Sequence, residues 1–137
     1  WKKIGAEENA LWSLDRFGGI EKGFCCFHSN ALDFAKIGRL FLNRGYFKNQ
    51  QVISSSYFRK IKKPTVCNYY SYGWWLTSVN NFDVFYMRGF KGQYVAVVPD
   101  KNIIVVRLGR NEERSSVGND EPPFSFKLFM NEVLINY

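Results

Sequence analysis

The stretch from residue 70 to residue 109 limits the possible folds most, because short apolar runs alternate there with turn residues. Asn80 and Asn81 interrupt it, as do Pro99 and Asp100, and two glycines stand three residues apart between these turns. Such punctuation is typical of neighbouring strands joined by tight connections. The pattern predicts an antiparallel β-meander of three to four strands, near 72–78, 82–88, 93–98 and 103–108.

Apolar residues outside this stretch recur at helical spacing. Asn30 can cap one helix and Gly45 can end it, because glycine adopts the left-handed conformation without a Cβ clash. Helices are predicted near 31–44, 55–62 and 124–136, with a polar loop over 110–120. The fold class expected is α+β, with the meander packed against helices. Residues 103–106 lack polar alternation, so their strand should be buried on both faces.

The composition is that of one ordinary globular domain. The chain has 137 residues, 46% of them hydrophobic, and a formal net charge of +7. The densest basic run, residues 59–63, comes without a recognition-helix, zinc-finger or RNP-like motif. We therefore favour a solvated helix end over a phosphate-binding patch and expect no nucleic-acid partner. The segment also contains no apolar run long enough to span a membrane.

Cysteine and histidine usage gives no sign of a metal site or a cofactor. Cys25, Cys26 and Cys67 are odd in number and two of them are adjacent, so no disulfide framework is predicted. We expect them to be small buried hydrophobic residues. The single histidine, His28, lacks metal-ligand spacing and is expected to be structural or exposed.

Catalytic motifs are incomplete within the chain. No serine is followed by lysine at the third position, and Ser56 is followed there by Arg59, whose guanidinium cannot act as a base. His28 abuts Ser29, an arrangement that does not suit a catalytic triad. Taken alone, these residues carry no complete catalytic apparatus.

Four motifs nevertheless stand in a recognisable order. They are IGAE with WSLD and GG (residues 4–19), NALDFAKIGRL (30–40), YGWW (72–75), and RGFKGQY (88–94) followed by VP and IVV. In this order they resemble the serine β-lactamase and penicillin-binding-protein superfamily. The branch they resemble most contains class C β-lactamases, related esterases and 6-aminohexanoate-oligomer hydrolases. The resemblance covers nearly the whole chain.

This resemblance implies that residues 1–137 are a single partial domain, the C-terminal part of a β-lactamase-like fold. The Ser-x-x-Lys and Tyr-x-Asn motifs of the family would then lie upstream. The parent protein would hydrolyse a β-lactam, ester or amide through an acyl-serine intermediate, and this chain alone would be inactive. A small-molecule or peptide-like substrate, a bacterial source and a periplasmic or cell-envelope location are further implications.

The resemblance also implies a site. In the family, a Lys-Thr-Gly or His-Thr-Gly strand borders the active site, and the residue after it supplies one oxyanion donor, here the backbone N–H of Phe90. The substrate-binding residues implied are Met87, Arg88, Gly89, Gly92 and Gln93. Met87 cannot replace the Lys or His, which shifts the expected substrate from β-lactams towards esters or amides. Strand alternation also favours an Arg88 side chain turned away from the site.

Two alternatives stay open. Gly89 and Gly92 can instead form a β-bulge, since glycine inside a strand often marks one. The chain can also be a non-catalytic module that binds a peptide or glycan on an aromatic face, formed by Trp74, Trp75, Tyr86 and Phe90. A separate expectation concerns the edge of the sheet. The family fold pairs its last strand with upstream strands, so we expect the isolated chain to self-associate through the edge of 103–108.

Overall fold

The computed structural model describes residues 1–109 and 122–137. Within these ranges the helices are α1 (Ala31–Leu42), α2 (Ser55–Ile61) and α3 (Phe124–Asn136). The strands are β1 (Leu11–Trp12), β2 (Phe27–His28), β3 (Tyr46–Phe47), β4 (Gln50–Gln51), β5 (Tyr70–Ser71), β6 (Trp74–Val79), β7 (Phe82–Gly89), β8 (Gln93–Val98) and β9 (Ile103–Arg107). The loop predicted at 110–120 lies outside the described residues.

Strands β5 to β9 form one antiparallel sheet in which each strand pairs with the next along the chain. The predicted α+β meander is therefore confirmed, with five strands in place of three to four. The additional strand, β5, pairs Ser71 with Trp74 and has only two residues, too few to show an alternation. Between β6 and β7, Asn80 and Asn81 have φ of 51° and 65°. Positive φ at both positions is typical of type I′ turns, whose twist matches that of the flanking strands.

Helices cover both sides of the sheet. Successive residues of a strand point to opposite faces, so the strands can contribute apolar side chains to a core on each side. On one face, which we name the α3 face, Tyr86 is buried together with Phe126 of α3. On the other, the α1–α2 face, Phe85 is buried together with Phe41 and Phe58. The central strands therefore sit between two hydrophobic cores.

Strand β9 is less buried than the sequence predicted. Residues 94–98 of β8 are all buried, whereas every residue of Ile103–Arg107 keeps part of its surface exposed. Its two faces are packed as predicted, because Ile103 and Val105 lie against the core of the α3 face and Ile104 lies beside Gly38 of α1. None of residues 103–106 is fully buried, however. The physical reason is position: β9 ends the strand order and has β8 as its sheet neighbour, so its outer side is uncovered by any described strand.

Self-association of the isolated chain remains a prediction. The outer side of β9 offers backbone N–H and C=O groups, together with partly exposed isoleucine and valine side chains, to a second copy. We expect the mass of this chain, measured by light scattering, to rise with its concentration. A monomeric mass for the isolated chain at every concentration would contradict this expectation.

Helix α1 ends where the backbone turns left-handed. Its N-terminus is capped by the Asn30 side chain, which accepts from the Asp33 N–H at 2.8 Å. The helix ends at Leu42, two residues before the predicted end at 44, because Arg44 and Gly45 have φ of 51° and 92°. A Cβ at Gly45 would collide with the carbonyl oxygen of Ile53, so both the conformation and the space favour glycine. Helix α2 likewise ends one residue before its predicted limit, and α3 spans the predicted 124–136.

A buried carboxylate ties the N-terminal segment to α1. Asp33 is fully buried, with 1% of its side-chain surface exposed. It accepts from the backbone N–H groups of Glu7 and Glu8, each at 3.0 Å, and from Lys36 Nζ at 2.8 Å. The Lys36 hydrogen bond, followed by those from the backbone, holds the pKa of Asp33 well below its ordinary value of 3.8. Residues 25 or more positions apart in sequence are joined through this one group.

We expect Asp33→Asn to lower the melting temperature at pH 7 by roughly 5–10 °C, because the amide cannot accept all of these donors. The pH dependence has a definite sign. Since folding lowers the pKa of Asp33, its ionised form stabilises the native state above pH 4, and this contribution is lost as the pH falls below that value. Melting curves between pH 2 and pH 7 should therefore show a shallower acid decline for the variant.

A matched control is Asp83→Asn, which changes an exposed carboxylate on β7. We expect it to leave the melting temperature at pH 7 within about 1 °C, as for most exposed substitutions. Equal losses in the two variants would contradict the role assigned to Asp33.

Candidate active-site groove

A cavity of about 250 Å³ lies between the N-terminal segment and one end of the sheet. We name it the sheet-end groove. One side is formed by residues 22–27, and the other by residues 87–89 of β7 with Gln93 of β8. Of the six predicted site residues, the structure brings Met87, Arg88, Gly89 and Gln93 to this groove. Phe90 and Gly92 lie in the connection next to it.

The three residues of β7 at the groove differ in direction. Met87 packs with the hydrophobic core of the α1–α2 face. Arg88 points to the α3 face, where its guanidinium carbon lies 5.6 Å from the centre of the Trp75 ring. This direction agrees with the alternation of side chains along a strand. The charge of Arg88 therefore lies on the α3 face, and only its backbone faces the α1–α2 side.

Gly89 belongs to the regular ladder. Cα partners run without interruption from Phe85 opposite Val97 to Gly89 opposite Gln93. A bulge would place two residues of one strand opposite one of the other, so Gly89 itself forms no bulge. Gly92 differs: with a φ of 77° at the end of a three-residue connection, it has the conformation of a G1-bulge residue. A Cβ at Gly89 would lie 3.0 Å from the Gln93 Cβ, which is a tight contact. Glycine therefore lets the two strand ends stay close and leaves the backbone open to the groove.

The connection between β7 and β8, residues 90–92, we name the hairpin tip. Lys91 and Gly92 have φ of 61° and 77°, so the chain reverses through two left-handed residues. The Phe90 side chain is 84% exposed. Among the backbone hydrogen bonds of the described turns and loops, none uses the Phe90 N–H. Within residues 1–109 and 122–137, therefore, this donor has no backbone acceptor.

The opposite wall of the groove is aromatic and contains a disulfide. Phe27 makes edge-to-face contacts with Trp12, at 5.4 Å between ring centres, and with Phe34, at 5.9 Å. Cys25 and Cys26 are joined to each other and half-buried, which corrects the expectation that both are small buried hydrophobic residues. Cys26 has a φ of 70°, a backbone conformation that the adjacent pair in the sequence did not indicate. Nothing in the sequence marked these residues as a site, because residues 11–27 show no helical or strand periodicity.

The aromatic face proposed for a binding module does not form. Trp74 is 5% exposed and packs in the core of the α1–α2 face, whereas Tyr86 is 1% exposed in the core of the α3 face. Burial raises the pKa of Tyr86 to about 12, so its hydroxyl is neutral at physiological pH. Phe90 lies apart from both, at the hairpin tip. Strand alternation explains the error, since adjacent positions cannot share one face.

A second, larger cavity of about 520 Å³ lies beside α2 and the β8–β9 connection. Arg44, Arg59 and Lys62 line it with Asp100, and none of the predicted site residues does. We place the candidate site at the smaller groove, because the strand glycine Gly89 lines it and the Phe90 N–H lies in the connection next to it. The groups of His, Cys, Asp and Glu in the described residues include no cluster that could hold a metal ion. Among the same residues, no helix is long and apolar enough to cross a bilayer.

Comparisons with known proteins agree with this architecture. No family model matches the chain, and no curated protein matches it. Among solved structures, a protein from Bacillus anthracis named a 6-aminohexanoate-dimer hydrolase is similar, with a TM-score of 0.68 and 23% sequence identity. The match covers 98% of this chain and 34% of that one, so the chain spans about a third of the length of its structural neighbour. At this identity the likeness establishes the fold alone, a β-lactamase-like α+β fold over the part the two proteins share.

Proposed function

We propose that the chain is the C-terminal portion of a serine hydrolase and supplies one wall of its active site. The observation that carries this proposal is that Gly89 lines the sheet-end groove and is followed directly by the Phe90 N–H, which makes no backbone bond among the described turns and loops. A strand glycine there allows a substrate carbonyl to approach the backbone, and the adjacent N–H can stabilise the oxyanion that forms. The fold shared with a β-lactamase-like hydrolase supports the same assignment.

The nucleophile in this proposal comes from a part of the protein outside this chain. The sequence holds no Ser-x-x-Lys, so the serine, its base and the second oxyanion donor are supplied from elsewhere. An upstream serine attacks the carbonyl carbon, the bond to the leaving alcohol or amine breaks, and water then hydrolyses the acyl-serine. The isolated chain performs neither step.

Esters and amides are the substrates we propose. Met87 occupies the position of the cationic or imidazole side chain in the family motif and packs into the hydrophobic core. It therefore offers no charge to the carboxylate of a β-lactam. The structural neighbour is itself named for hydrolysis of the 6-aminohexanoate dimer, which is in keeping with this choice.

An active-site serine probe tests the proposal. The full-length protein is incubated with a fluorophosphonate and the intact mass is measured, with expected labelling of one adduct per chain on a serine of a Ser-x-x-Lys motif. The isolated 137-residue chain serves as the control and should remain unlabelled. If the folded full-length protein neither reacts with the probe nor hydrolyses p-nitrophenyl esters, the hydrolase assignment is wrong.

A further inference from the structure

Arg107, the last residue of β9, reaches from the edge of the sheet to the hairpin tip. Its Nη1 donates a hydrogen bond of 2.6 Å to the carbonyl oxygen of Gly92, fifteen residues earlier in the chain. A bond in which the donor carries a charge is roughly twice as strong as one between neutral groups. The Gly92 carbonyl belongs to the hairpin tip. Among the backbone bonds of the described turns and loops, none involves the tip, so the bond from Arg107 restrains it.

Gly109 is shaped to leave room for the same contact. A Cβ at this position would lie 3.0 Å from Arg107 Cζ, 3.1 Å from Arg107 Nη1 and 3.1 Å from the Gly92 oxygen. The backbone of Gly109 is not in the left-handed region, so conformation does not require glycine there. The absence of a side chain instead provides the space in which guanidinium and carbonyl meet.

The carbonyl of Gly92 and the N–H of Phe90 belong to the same three-residue connection. Lys91 and Gly92 are both left-handed, so the connection depends on a narrow set of backbone angles. Fixing the Gly92 carbonyl fixes the peptide plane between Gly92 and Gln93, the first residue of β8. With Gly89 held in the ladder at the other end, the orientation of the Phe90 N–H is constrained from both sides.

We propose that Arg107 is a positioning residue: through the Gly92 carbonyl it sets the conformation of the hairpin tip that presents the Phe90 N–H. Gly109 is its steric partner. This inference rests on the proposed function for its catalytic consequence, but the ordering of the tip can be measured without any substrate.

The test uses the full-length protein with ¹⁵N-labelled glycine, phenylalanine and lysine. In the wild type we expect order parameters near 0.85 at Phe90, Lys91 and Gly92, the value of a rigid backbone. Arg107→Met should lower them to about 0.6 or less, the range of flexible segments, and Arg107→Lys should restore them in part. Gly109→Ala should reproduce the effect of Arg107→Met with the guanidinium still present.

The control is Arg39→Met, which removes an exposed arginine from α1 and should leave the tip unchanged. If the protein hydrolyses esters, Arg107→Met should lower kcat by about tenfold with KM little altered, because the donor acts in the transition state. Unchanged order parameters in Arg107→Met and Gly109→Ala would overturn the inference. If the variant's tip is mobile but kcat is unchanged, the proposed effect of Arg107 on catalysis is wrong. If the tip becomes mobile in a protein that has no hydrolase activity, the proposed function is wrong and the positioning role of Arg107 stands.

Discussion

Under the proposed hydrolase function, the Phe90→Pro variant of the full-length protein should lose roughly 100- to 1000-fold in kcat for ester hydrolysis, as expected when one oxyanion donor is removed. Proline lacks the backbone N–H that we assign to the oxyanion. Because that donor acts on charge that develops in the transition state, KM should change little. Steady-state kinetics with p-nitrophenyl esters, together with single-turnover acylation, measure the two parameters separately.

Two features of the backbone make this position compatible with proline in part: its φ is not positive, and its predecessor is extended. Phe90 is not among the residues with positive φ, and Gly89 before it lies in the extended ladder, the conformation that proline requires of its predecessor. The matched control is Phe90→Ala, which removes an 84% exposed ring and keeps the N–H. We expect this control to retain kcat within about threefold. Equal losses in the two variants would assign the effect to the ring, and full activity in Phe90→Pro would exclude this N–H as a donor.

Local signals in the sequence were sufficient to predict the scaffold of this site. Asn80 and Asn81 tolerate left-handed angles, so the position of one turn could be inferred from residue type alone. Asn30 and Gly45 likewise marked the ends of α1 through capping chemistry, which depends only on near neighbours. Between such turn residues, the alternation of apolar and polar side chains with a period of two residues predicts the strands. The end of the strand that borders the groove was therefore predictable without any tertiary information.

The opposite wall was not predictable, because contacts between distant residues place it. Segment 22–27 has no periodicity, and its position depends on Phe27, which pairs with Trp12 in a short ladder and contacts the Phe34 ring of α1. The assignment of Trp74 and Tyr86 to one aromatic face failed for a related reason. Sequence proximity indicated a shared surface, whereas the register across β6 and β7 places the two rings in different cores.

Helix α3 should depend on one aromatic side chain. Phe126 is 1% exposed and lies with its ring centre 4.4 Å from that of Tyr86 and 4.6 Å from that of Tyr94. We expect Phe126→Ala to lower the free energy of unfolding by about 3–5 kcal/mol, since it removes a large buried ring and leaves a cavity between helix and sheet. Urea unfolding followed by circular dichroism measures the change, with the denaturant slope checked for constancy.

The same helix offers a matched control in Phe124, which is 79% exposed. Phe124→Ala makes the same chemical change two residues away, and we expect it to alter the free energy of unfolding by no more than about 0.5 kcal/mol. Equal effects would mean that α3 does not bury Phe126 against the sheet. Tyr86 and Tyr94 lie on β7 and β8, the two strands that meet at the groove, so the packing of α3 supports those strands from the face opposite α1. Loss of the Phe126 ring should therefore loosen the strand ends that carry Gly89 and Gln93 before it unfolds α1, which packs on the other side of the sheet.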